Sequence, residues 1–307
     1  MPDGLDTRRW YWDRRGGGFI RAQSAATPKP LRRVGRYAYA QISTLTAPLR
    51  LEPSFILMGA QRCGTTSLFR ALSAHPQLAP PTFWKGINYF DLNYYRGAAW
   101  YRSHFPVAEI ARRRAARYGA VAAFEASGYY VYHPCAVERL ARDVPAMKLV
   151  VMLRDPVDRA YSAYKHEHAR GFEHEGFEKA LALEDDRLSG EAERMRDDPT
   201  YKSFSHRHHS YRHRGHYAEQ LERVFRFFPQ AQVHVIDSAE FFDRPEREFG
   251  RLLGFLGLQP FTPSLSRWNA RPGAPIPSQT RQLLEGHFLA HDKRLAELLG
   301  RPLSWMR

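Results

Sequence analysis

The run Ser54-Phe-Ile-Leu-Met-Gly-Ala-Gln-Arg-Cys-Gly-Thr-Thr-Ser-Leu-Phe-Arg-Ala-Leu72 leaves a folding chain few choices. Phe55 to Met58 is an uninterrupted apolar stretch, short enough for a buried strand. Gly59 and Gly64 bound a turn, and Thr65-Thr66-Ser67 opens a helix. A strand that turns this sharply into a helix aims several backbone N–H groups, and the positive end of the helix dipole, at one point. Such a turn is an anion site, here with the cation Arg62 inside it.

A nucleotide triphosphatase P-loop carries lysine directly after its second glycine. Thr65 fills that slot in this chain. The turn therefore suits a phosphate-like group beside a cation, without the lysine that usually holds a β,γ-phosphate pair. Downstream, strands are expected at Ala120–Phe124, Lys148–Leu153 and Val233–Ile236. Helices are expected at Pro134–Asp143, from Pro156, and at Tyr217–Phe228, Pro245–Leu256 and Thr280–Leu299. This alternation predicts an α/β fold, a P-loop-like three-layer sandwich with a mainly parallel central sheet flanked by helices. Ligands of such sheets bind beyond the carboxyl ends of strands. Arg154, just past Leu153, can fork onto a phosphate or pair with Asp155 or Asp158. Ser162 stands about two helical turns farther on. Two aromatic-rich segments, Lys85–Asp91 and Arg96–Pro106, suit a cleft wall or packing against the sheet.

The chain has 307 residues, enough for one large domain, with residues 1–50 expected as a basic, poorly ordered extension and 51–307 as the domain. A formal charge of +14 favours anionic partners, although arginine-rich genomes produce the same excess. Only Cys63 and Cys135 occur, too few for a disulfide framework or a thiolate metal site. No apolar run reaches the length of a membrane span, and residues 1–50 lack the apolar core of a signal peptide, which predicts a soluble, cytoplasmic protein without a transmembrane segment. The run Ser205–His216 holds five histidines, yet no carboxylate or cysteine accompanies them. It is expected to form a basic lid over an anionic acceptor, and no metal centre is predicted.

Gly59-Ala-Gln-Arg-Cys-Gly-Thr-Thr66 followed by Leu153-Arg-Asp-Pro-Val-Asp-Arg-Ala-Tyr-Ser162 resembles the two-part signature of sulfotransferases that use 3′-phosphoadenosine 5′-phosphosulfate. The connecting pieces narrow the resemblance. Lys85…Tyr89-Phe90-Asp91, Gly97…Trp100-Tyr101…Phe105-Pro106 and Glu125-Ala-Ser127 are similar to heparan sulfate N- and 3-O-sulfotransferases and their bacterial relatives. The likeness runs from about Phe55 to the C-terminus, through His209-Ser210-Tyr211, Arg214-Gly215, Tyr217 and the closing Arg294–Gly300.

The resemblance implies a transferase that moves a sulfuryl group from this donor to a hydroxyl or amine of a carbohydrate-like acceptor and releases 3′-phosphoadenosine 5′-phosphate. It implies that Gly64, Thr65, Thr66 and Ser67 hold the 5′-phosphosulfate, with Arg62 where relatives carry lysine, charging the bridging oxygen. Arg154 and Ser162 are implied for the 3′-phosphate, and Arg271 for a late loop over the nucleotide. Two departures stand out. Gly86 replaces the glutamate that serves relatives as base, and Ala126 replaces a lysine found in N-sulfotransferases. Glu125 is nominated as the base in its stead, with Asp91 and His104 as the other candidates. The competing readings are a non-catalytic nucleotide- or glycan-binding protein on the same fold and a P-loop kinase. Nucleic-acid binding by the basic arm is a weaker fourth, and no specific nucleic acid is expected as a partner.

Overall fold

The computed structural model describes residues 9–12, 19–22, 43–82, 85–263 and 274–307. Phe55, Ile56, Leu57 and Met58 are all within 1% of complete burial, and a strand covered on both faces needs such an unbroken apolar run. They form the centre of β1 (Pro53–Gly59). Proline at its first position costs no ladder bond. Four parallel partners join it: β2 (Leu78–Ala79), β3 (Ala122–Ala126), β4 (Lys148–Leu153) and β5 (Val233–Asp237). The order across the sheet is β2-β3-β1-β4-β5.

That order contains a switch point. From β1 the chain builds β2 and β3 on one side, then crosses to lay β4 and β5 on the other. Connections leaving β1 and β4 thus diverge to opposite sides and open a crevice beyond their carboxyl ends. The register places Leu57 opposite Val150 and Gly59 opposite Val151, so β4 runs two residues past the end of β1. Ala60 continues the contact by donating its N–H to the Met152 carbonyl at 2.8 Å.

Helix α1 (Thr65–Ala74) leaves β1 and buries Leu68, Phe69 and Leu72. Helix α2 (Pro156–His168) leaves β4. Its start is well specified: Pro156 occupies the first turn, and the Asp155 carboxylate accepts the N–H groups of Val157 at 2.8 Å and Asp158 at 3.3 Å. Helices α3 (Tyr217–Phe227) and α4 (Ser278–Leu299) pack on one another. Phe288 and Leu284 of α4 also join Val157, Ala160 and Ala163 of α2 in a smaller apolar cluster beside the main core.

Two differences from expectation bear on the site. The strand expected at Ala120–Phe124 runs from Ala122 to Ala126, because pairing with β1 continues as far as Leu57 and Ala126. Glu125 is therefore inside a buried strand, not beyond its end. Residues 43–50, expected in a loose extension, pack on the domain. Arg50 is 6% exposed, and its Nη1 donates to the Phe105 carbonyl at 2.6 Å. Within the remainder of that extension, Arg9–Trp12 pairs antiparallel with Phe19–Ala22, and the other residues up to 42 lie outside the described ones.

Candidate functional site

The turn after β1 is built for close approach of backbone to a ligand. Gly64 has φ +97°, and a Cβ there would sit 2.9 Å from Phe242, so only glycine fits. Arg62 also adopts a positive φ of 70°, a cost that non-glycine residues bear mostly at functional turns. Gly64 caps α1 without any side-chain hydrogen bond to its first turn. The start of α1 turns the positive end of the helix dipole toward this turn.

Cations converge here from three segments. Lys85 donates from Nζ to the hydroxyls of Thr65 at 3.0 Å and Thr66 at 3.2 Å. Its pKa is lowered to about 7, first by burial and then by the charges of Arg62 and Arg70. Arg62 reaches across to α2, where its Nε donates to Ser162 Oγ at 3.1 Å. Arg154 is partly exposed at the end of β4 and pairs with Asp158 at 3.1 Å. Asp158 is shared with Arg281 of α4 at 2.5 Å, and this second cation leaves Arg154 less tightly committed. Behind this surface Arg159 is fully buried, donating to the Tyr211 carbonyl. A group carrying negative charge at two places meets cations and hydroxyls at both ends of this crevice, so the residues present fit a doubly anionic ligand.

Arg62, Thr65, Thr66 and Ser162 are thus brought together, with Gly64 shaping the turn; the Arg154 carbonyl joins them through Tyr217, whose hydroxyl meets Cys63 of the turn, and Ser67, 2% exposed, sits behind it. Arg271 lies outside the described residues. Lys85 was visible in the sequence only as part of a connecting motif. Its twenty-residue separation from Thr65 offers no local periodicity that would pair them.

Glu125 has a different setting. It is 0% exposed, and its Oε2 accepts from Tyr101 at 2.7 Å while Oε1 accepts from Tyr130 at 2.8 Å and from Ser127. Burial raises its pKa, and these hydroxyl donors pull it back down. Both oxygens are engaged, which ties β3 to the Lys85–Asp91 segment through Ser127 and the Asn88 N–H. Asp91 is 4% exposed, accepting from the Leu92 N–H at 2.6 Å and from Asn88 Nδ2 at 3.0 Å. Burial lifts its pKa to about 7, with the neighbouring Glu125 charge adding to the rise and the Leu92 hydrogen bond opposing it. His104 is buried against Trp100, with Nδ1 2.8 Å from that carbonyl, and burial lowers its pKa.

Much of the expected basic lid is turned inward. His206 is 5% exposed, bonded to Tyr129 at 2.6 Å, and held neutral by burial at a pKa of about 2. His208 is bonded to Glu167 at 2.9 Å, and His209 to the Phe172 carbonyl at 2.9 Å. Arg214 is buried between Tyr129 and Tyr132 and donates to Gln61 of the anion turn. His206, His208 and Arg214 turn inward because tyrosine faces and a carboxylate receive them there, while Arg207 stays exposed. Arg214 braces the turn from behind.

Among the described residues, no helix is long and apolar enough to cross a membrane. The sulfotransferase domain pattern matches residues 52–270. Over 83% of its length the chain is 27% identical to the bifunctional heparan sulfate N-deacetylase/N-sulfotransferase 2 of Bos taurus and 28% identical to N-deacetylase/N-sulfotransferase 3 of Homo sapiens. It spans 31% of the length of each. It is also 26% identical to the membrane-associated sulfotransferase kil1 of Dictyostelium discoideum over 82% of this chain and 66% of that protein. Among solved structures, a sulfotransferase from Alicyclobacillus acidocaldarius superposes with a TM-score of 0.61 at 30% identity, covering 83% of this chain and 99% of that one. On this match and this fold, the chain belongs to the sulfotransferase domain family.

Proposed function

We propose that the protein transfers a sulfuryl group from 3′-phosphoadenosine 5′-phosphosulfate to a hydroxyl or amine of a carbohydrate-like acceptor. The observation that carries this reading is the 3.1 Å contact between Arg62 and Ser162, which joins the anion turn to the β4–α2 segment in one crevice. In the proposal the 5′-phosphosulfate meets the start of α1, Thr65, Thr66, Lys85 and Arg62, and the 3′-phosphate meets Arg154 and Ser162.

Sulfuryl transfer is an in-line displacement: the acceptor oxygen or nitrogen bonds to sulfur while the bond from sulfur to the bridging phosphate oxygen breaks. The protein contributes position and stabilisation of the charge that develops on that oxygen. Arg62 and Lys85 are the cations for this task, in the role a metal ion has in phosphoryl transfer. The acceptor's proton needs a base poised near neutral pH. Asp91, at about 7, meets that condition. Glu125, closed in by three hydroxyls, is proposed to position the Lys85–Asp91 segment in place of the base role its sequence context suggested.

The deciding experiment supplies labelled donor and N- or O-desulfated heparan-type oligosaccharides, and follows both nucleotide release and label in the sugar. Stoichiometric transfer supports the proposal. Nucleotide binding with no transfer to any hydroxyl or amino sugar would mark a non-catalytic binding protein.

A further inference from the structure

Far along the chain from the anion turn, three histidines meet where the start of α3 packs on α4. His216 immediately precedes α3, and His287 and His291 lie four residues apart on α4. That spacing puts the latter two on one helix face. His216 Nε2 and His287 Nε2 are 2.9 Å apart, so one donates its proton to the other. The His216 and His291 rings stack with centroids 3.8 Å apart and planes within 4°. One ligand nitrogen from each of the three lies within 4.8 Å of the other two, and all three side chains are partly accessible to solvent. On the opposite side of the stacked pair, Glu219 Oε1 lies 3.6 Å from His291 Nδ1 and 4.0 Å from His216 Nδ1.

We propose that His216, His287 and His291 form a binding site for a divalent transition-metal ion, zinc above all, with Glu219 as the carboxylate that orients the rings. Imidazole donors suit zinc, cobalt, nickel and copper and disfavour magnesium or calcium. Zinc–nitrogen bonds of about 2.0–2.1 Å in tetrahedral geometry set nitrogens about 3.3 Å apart. The His216–His287 pair therefore opens by a few tenths of an ångström, and the ion takes the place of their shared proton. Parallel rings cannot both aim a lone pair at one ion, so His291 turns about its χ2 out of the stack. Metal-bound histidines characteristically donate the opposite ring N–H to a carboxylate, which is where Glu219 stands. Arg212 acts on His216 and His287 but is itself paired with Glu184 and Asp185, and the neighbouring His213 is paired with Asp185.

An ion here ties α4 to the start of α3. The same α4 carries Arg281, which holds Asp158 beside Arg154. The site is thus a staple for the helix that supports one wall of the crevice, at a distance from the reacting groups. Local spacing hides it, because His216 precedes His287 by 71 residues.

Protein without a histidine tag, stripped with chelator, is titrated with Co²⁺ alone. The proposal expects visible d–d bands of a low-coordinate cobalt–nitrogen site at one equivalent, bleached by Zn²⁺, and a melting temperature raised by Zn²⁺ in proportion to affinity. His287→Gln with His291→Gln, both on a partly exposed helix face, is expected to weaken Co²⁺ binding by about 100-fold or more, and Glu219→Gln by about 10-fold. Absence of cobalt bands together with an unmoved melting temperature at excess Zn²⁺ overturns the proposal. So does undiminished binding in the double variant, which would assign the metal to other histidines.

Discussion

The segment Lys85–Asp91 has a charged group at each end, and the two ends live in opposite surroundings. Lys85 joins a gathering of cations and hydroxyls at the start of α1, where Arg62, Thr66 and Ser162 keep a partly open face. At the other end Asp91 sits beside Glu125, whose carboxylate is fully buried and taken up by Tyr101, Tyr130 and Ser127. The first region keeps capacity to bind; in the second, Glu125 spends its capacity on holding shape, while Asp91, with one donor on each oxygen, is the carboxylate proposed as base. A chemically suggestive residue is thus a poor guide to role until its hydrogen-bond partners are known. Like residue types do unlike work according to whether their valences face a crevice or a core.

The largest expected break in that contrast comes from the cationic side. Arg62→Ala is expected to lower turnover about 10²–10³-fold, as loss of one preorganised charge stabiliser does elsewhere. Its melting temperature should stay near that of the parent, and a turnover within about threefold of the parent would remove Arg62 from the mechanism. On the other side, Asp91→Asn should cost about 10²-fold in turnover with affinity for 3′-phosphoadenosine 5′-phosphate unchanged. Equal activity would pass the proton to another group.

Glu125→Gln sharpens the comparison through stability. Replacing an acceptor-only carboxylate by an amide leaves one tyrosine hydroxyl without its partner inside the core, costing about 2 kcal/mol. The expected reading is a lowered denaturation midpoint with an unchanged slope, while the folded fraction still binds nucleotide. Full stability with abolished transfer would instead restore Glu125 as the base.

A smaller effect follows from Lys85. Its depressed pKa of about 7 means that above this pH the free protein holds it neutral, whereas an anionic ligand favours the protonated form. Binding then takes up a proton, and affinity for the nucleotide should fall by up to about tenfold per pH unit above 7. Lys85→Arg, charged throughout, should flatten that slope in calorimetry. A parent slope of zero would place Lys85 outside the ligand's reach. Smallest of all, Arg281→Ala leaves Asp158 to Arg154 alone, so nucleotide affinity should fall by about two- to fivefold, the range of a partly exposed ion pair.

Much of the fold was legible because burial on both faces demands unbroken apolar runs, and Phe55–Met58 and Leu149–Leu153 are such runs. The anion turn was legible for a local reason too, since its glycines, its cation and the helix start are contiguous. Ser162 could be paired with Arg154 by helical spacing, but its contact with Arg62, one hundred residues away, is a product of the switch in strand order. Lys85 escaped assignment for the same reason. Glu125, read at a strand end, lies inside the strand because that strand runs two residues farther, and its side chain is buried. The histidine run misled because His206, His208 and His209 each turn to a separate partner, while His216 at its end meets two histidines of a distant helix.

Calorimetric titration with 3′-phosphoadenosine 5′-phosphate and with adenosine 5′-phosphate tests the shared crevice most directly. Charge-assisted contacts from Arg154 and Ser162 predict that the 3′-phosphate tightens binding by about 10–100-fold, and that Arg154→Ala erases most of this preference. Equal affinity for the two nucleotides, or a preference untouched in Arg154→Ala, would contradict the crevice as the donor site.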